Sequence, residues 1–139
     1  MEAKAKVKEN APKRYNEFAM ESDLYFYKEQ GDSEKYCKTC KEVAKKQLGN
    51  DPQGLNDLAV SLHESFDYDA DAMKYAEKLA KKAAENGKEV GFYLTYASIL
   101  KTNGKDALAV KSAESALAIA GDDKRAKAKI EKIIQKLKG

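Results

Sequence analysis

Tryptophan is absent from this chain, histidine occurs once, and cysteine and proline occur twice each in 139 residues. Two cysteines need two further ligands to make a zinc site, and the lone His63 does not supply them, so no metal or cofactor is expected. With so little proline, long stretches are free to be helical. No apolar run approaches the 18 or more residues of a membrane span. The opening MEAKAKVKEN is charged and lacks the apolar segment of a leader peptide. The expectation is a soluble, unexported chain, cytoplasmic, or periplasmic if it was cut from a larger precursor.

What the chain does contain is charge of both signs and alanine. The 26 basic and 23 acidic side chains leave a net charge of +3 and are interspersed, which gives no strong field for nucleic acid. No nucleic-acid and no membrane partner is expected. The length suits one domain with a substantial core.

The most informative stretch is Gly91 to Ala120, GFYLTYASILKTNGKDALAVKSAESALAIA. It reads as two amphipathic helices reversed at Asn103-Gly104, with alanine wherever the two must touch. The rest of the chain repeats that plan. Residues 1–11 form a tail or the polar start of a first helix. From Pro12, Tyr15, Phe18, Leu24 and Tyr27 recur at helical spacing until Gln30-Gly31-Asp32 stops them, and Tyr36, Cys40, Val43 and Leu48 continue on a second helix capped by Asp32 or Ser33. Leu55, Leu58, Ala59, Leu62 and Phe66 carry the next helix, and the acidic turn at Asp67–Asp71 feeds a helix bearing Ala72, Met73, Ala76, Leu79, Ala80 and Ala83. A last helix after Gly121 is apolar on one stripe only (Ala126, Ile130, Ile133, Ile134 and Leu137), as a terminal cap must be.

The pattern predicts an all-α protein of αα-hairpin repeats in one domain over 12–139, with hairpins at about 12–49, 52–87 and 89–120 and a capping helix at 122–138. The period supports repeats. Ala59 and Leu62 stand 38 residues before Ala97 and Leu100, and Ala72 and Ala76 stand 37 before Ala109 and Ala113. A plain helical bundle is the competing architecture.

Ala97, Leu100, Gly104, Ala109, Ala113, Ala116 and Leu117 stand at tetratricopeptide spacings, and residues 91–117 resemble one such repeat. More narrowly, Leu55-Asn56-Asp57-Leu58-Ala59, followed by Tyr93 through Lys105, resembles the helical segment found after the thioredoxin domain in some bacterial thioredoxin-like proteins. That resemblance implies a right-handed superhelix and an accessory or docking role. It carries no oxidoreductase activity over, because the family's redox work belongs to a thioredoxin domain with a tryptophan before its Cys-x-x-Cys.

In tetratricopeptide arrays the first helix of each hairpin lines the concave face. By that analogy Glu21, Tyr25, Lys28, Asn56, Val60, His63, Leu94, Ser98 and Lys101 line a partner-binding groove, a polar and aromatic mixture suited to a peptide. The family's clamp for a terminal carboxylate needs lysine or arginine where this chain has Leu94 and Ser98. His63 alone has no nucleophile in sequence reach, so a general-base role is disfavoured.

Cys37-Lys38-Thr39-Cys40 is the one motif that looks catalytic. Its sulfurs would need a helix N-terminus to depress their pKa, whereas Cys37 falls about a turn inside and Cys40 lies on the apolar stripe. The residues therefore point to a non-catalytic interaction or adaptor module that binds a protein segment or a thioredoxin-like domain. Two alternatives stand beside it: a redox-associated module using Cys37 and Cys40, and a structural helical domain without a ligand. The seven basic residues of the final helix are expected to be a solvated cap face.

Overall fold

The computed structural model describes residues 22–139. The expected tail at 1–11, the start of the first hairpin at 12 and the groove residue Glu21 lie outside the described residues. Within them every regular element is a helix. The described residues divide into two compact units, 22–49 and 50–139.

In the first unit, α1 (22–30) leads into α2 (Ser33–Val43), whose last turn widens into a π-helical turn over Ala44–Leu48. Gly31 takes a positive φ of 70°, and the amides of Gly31 and Asp32 bond back to the carbonyls of Lys28 and Tyr27. This paired closure needs a left-handed residue at the helix end, which glycine supplies without a Cβ clash. Asp32 caps α2 by accepting from the Lys35 amide at 3.0 Å. Tyr36, Cys37, Thr39, Cys40 and Val43 are buried.

The second unit holds α3 (Pro52–Phe66), α4 (Ala70–Gly87), α5 (Val90–Thr102), α6 (Asp106–Ala120) and α7 (Lys124–Lys138). Pro52 occupies the first turn of α3, where a missing N–H costs nothing. Asp69 caps α4 through two bonds to the amides of Asp71 and Ala72, and Asp123 caps α7 by accepting from Ala126. The acidic turn expected at Asp67–Asp71 thus satisfies the free amides of the helix it precedes. The reversal at Asn103-Gly104 has the same paired closure as Gly31, with Gly104 at φ 76°, its own amide bonding to the Lys101 carbonyl and the Lys105 amide to the Leu100 carbonyl.

Packing follows chain order. α3 lies along α4 and α5 along α6, each pair joined by a short turn as in a helical hairpin; α4 packs on α5, α7 covers α6, and α3 also touches α5. Seven core positions are alanine: Ala59, Ala76, Ala80, Ala83, Ala109, Ala113 and Ala116 are all fully buried. Phe66, Leu55, Leu62, Met73, Ile99, Leu100 and Ile130 fill the space between. Around Ala97, Leu100 and Ala113 the core runs through to Ile130, Ile134 and Leu137 of α7. The cap helix thereby closes an apolar surface that α5 and α6 would otherwise expose.

α4 ends at Gly87, the bound expected for the second hairpin, and Lys88 beyond it takes the left-handed conformation at φ 51°. Gly87 is needed for space: a Cβ there would overlap the Phe92 ring and the Pro52 ring. Overpacking of this kind costs about 1–3 kcal/mol, more than the roughly 1 kcal/mol that alanine's helix propensity returns. Gly87→Ala should therefore lower the thermal unfolding midpoint, and a raised midpoint would show that the three residues part without strain.

Candidate functional site

Positions 56, 60 and 63 of α3 and positions 94, 98 and 101 of α5 share the spacing i, i+4, i+7, which puts each trio on one helix face. The two helices are neighbours, and a side-chain bond ties them. His63 Nε2 lies 2.7 Å from Thr102 Oγ1, and the threonine hydroxyl donates to the Ser98 carbonyl at 3.2 Å. His63 is thus positioned as a strut between helices.

Asn56, one turn of helix before Val60, is half-buried. Its Oδ1 is sealed from solvent and has no donor within hydrogen-bond reach among the described residues. Val60 is half-buried and Ser98 is exposed. Leu94 packs against the α5–α7 core cluster, so it serves the interior more than an open face. Lys101 is drawn toward the end of the unit: its Nζ donates to Asp106 Oδ2 at 3.1 Å and to the Leu137 carbonyl at 3.4 Å. A cation beside the last carbonyls of α7 complements the negative end of that helix. The structure thus brings Asn56, Val60, His63 and Ser98 together on two adjacent helices and engages Leu94 and Lys101 elsewhere. Tyr25 and Lys28 belong to the first unit, where both are exposed, Tyr25 at 69%.

A polar cluster absent from the sequence reading fastens α4 to the α5–α6 turn. The Asn103 amide donates to Glu77 Oε1 at 3.0 Å and to the Met73 carbonyl at 3.2 Å, and Lys105 Nζ meets Glu77 Oε2 at 2.8 Å. Partial burial pushes the Glu77 carboxyl upward, yet the hydrogen bonds and charge of Lys105 with the Asn103 amide outweigh it and hold the group below its usual value. The same pairing raises Lys105. The cluster's stabilisation is therefore present above the ordinary glutamate pKa of 4.5 and is lost as pH falls through the lower folded value. Ser112 is a second fastener, buried and donating to the Tyr93 carbonyl at 2.7 Å across the α5–α6 pair. The Asn-Gly pair signals a reversal in the sequence, but nothing local names the carboxylate that the asparagine meets 26 residues away.

Cys37 and Cys40 form no disulfide and stand at 7% and 0% exposure. Burial, with the neighbouring Cys37 sulfur adding to it, pushes Cys40 up to about 12. A thiol held that high carries almost no thiolate at neutral pH, which is the form that attacks disulfides. Among the described residues no group of three or more histidine, cysteine or acidic side chains is arranged to hold a metal ion, and no helix is long and apolar enough to cross a membrane.

Comparison with protein-family models, with curated proteins and with solved structures returns no match.

The burial of both sulfurs has a direct chemical consequence. An aromatic disulfide reagent at neutral pH should leave both thiols of the native chain unmodified over the time in which the guanidinium-unfolded chain reacts completely. Prompt native-state reaction at either cysteine would contradict the packing described for α2.

Proposed function

We propose that residues 50–139 are a short tetratricopeptide-like array, stacked in the right-handed sense of that architecture, whose α3–α5 face receives an extended segment of a partner protein. The module is non-catalytic in this reading. Support comes first from the helix order. The first helices of successive hairpins lie side by side with α7 as the terminal cap, which is how repeat arrays of this kind generate a continuous binding surface.

The observation that carries the proposal is the orphan acceptor of Asn56. A buried carbonyl oxygen without a donor costs about 1–3 kcal/mol. Once the Asn56 side chain turns outward, a backbone N–H of a bound segment would supply the missing bond, and Val60, one turn along α3, with Ser98 on the neighbouring α5 offer one apolar and one polar contact. Leu94 and Ser98 stand where the family's terminal-carboxylate clamp requires cations, so the ligand is an internal segment and not a chain end. The two buried sulfurs lend no support to a thiol-redox role, and no matched relative supports the thioredoxin association.

Peptides selected from a random display library on the whole chain, with affinities then measured by calorimetry, test this reading. Asn56→Ala should weaken the selected peptides about tenfold, the equivalent of one buried hydrogen bond. The same change should raise stability by roughly 0.5–1 kcal/mol, because it removes the orphan oxygen and adds helix propensity. Peptides that bind the variant and the parent alike would place the binding surface elsewhere.

A further inference from the structure

The outward side of α7 carries an unbroken line of positive charge. Arg125, Lys129, Lys132 and Lys136 follow at spacings of four, three and four residues. On a helix of 3.6 residues per turn they share an arc about 60° wide and extend about 16 Å along the axis. All four are exposed. Among the described residues none of them forms a hydrogen bond or ion pair. The one acidic residue of α7, Glu131, falls on the opposite flank, and Ile130, Ile134 and Leu137 face the core.

This arrangement opposes helix stability. Like charges three or four residues apart repel, and Arg125 in the first turn meets the positive end of the helix dipole. An ordinary solvated face alternates signs along such a line. Here the helix is held by its buried stripe while, among the described residues, no ion pair compensates the charge on its other side.

We infer that this stripe docks an acidic protein segment whose carboxylates recur once per helical turn. The apolar side of α7 is committed to the core, so the helix has nothing to insert into a bilayer. No aromatic residue on α7 offers a stacking surface for bases. The chain-wide net charge of +3 provides little attraction for a phosphate backbone. An acidic helix bearing carboxylates at i, i+4, i+7 and i+11 matches the stripe position for position, by the charge pairing that selects partners along coiled coils. The surface lies on a different helix from the α3–α5 face, and the inference stands independently of that reading.

Fluorescence anisotropy of labelled polyglutamate with the whole chain at low salt provides the test, with duplex DNA and phosphatidylserine vesicles as parallel probes. Saturable polyglutamate binding should weaken at least about tenfold when Arg125, Lys129, Lys132 and Lys136 are all changed to glutamine. Changing the exposed α4 residues Lys74, Lys78, Lys81 and Lys82 to glutamine removes the same charge and should alter binding less than about twofold. Circular dichroism checks that both variants fold, and the central pair Lys129→Gln with Lys132→Gln should show an intermediate loss if the fourfold variant does not. Equal losses from the α4 and α7 variants, no polyglutamate binding, or tighter binding of DNA or vesicles would each overturn the inference.

Discussion

The structure of the second unit depends on helices that meet through alanine. Ala59 on α3, Ala76, Ala80 and Ala83 on α4, and Ala109, Ala113 and Ala116 on α6 expose no surface at all. A methyl group at a crossing lets two helices approach more closely than a larger side chain would. The larger side chains, Leu62, Phe66, Met73 and Leu100, then interlock on either side of the contacts. Dense packing of this kind has no slack, so the separation between helices is set by the sequence residue by residue.

Side-chain hydrogen bonds fasten what the alanines bring close. The Glu77, Asn103 and Lys105 cluster holds α4 against the α5–α6 turn, Ser112 holds α6 to the backbone of α5, and Lys101 ties that turn to the end of α7. His63 and Thr102 span α3 and α5. A bond of 2.7 Å closes only if the two helices keep their spacing, so the α3–α5 face is preorganised by contacts made elsewhere in the unit. A surface held this way loses little freedom when it binds, which favours recognition of a flexible segment.

Much of this was readable from residue spacing. Pro52, the acidic turn before Ala72, Asn103-Gly104 and the single apolar stripe of α7 each carry a local signal, and the helices begin and end close to them. Signals of this sort reflect backbone chemistry within a few residues. Interactions between distant residues were not legible. Nothing near Gly87 in the sequence names Phe92 and Pro52 as the rings that crowd it, and Glu77 carried no mark of its partners in the α5–α6 turn. The proposed groove was legible as a helix face but not in its details, since periodicity cannot show that Lys101 is engaged by Asp106 and Leu137 or that Asn56 lacks a donor. The division of contacts after Gly49 likewise has no local signature beyond the Gly-Asn-Asp-Pro turn.

The central claim is that buried small residues hold these helices at their spacing, and Ala113, in the middle of α6 with no exposed surface, tests it most directly. Thermal unfolding of Ala113→Leu is the measurement. The account predicts a loss of about 1–3 kcal/mol, seen as a midpoint lowered by roughly 5 °C or more for a unit of this size. An unchanged or higher midpoint would mean that α6 has room for a larger side chain, and the claim that alanine contacts set the arrangement of the α3–α5 face would be wrong.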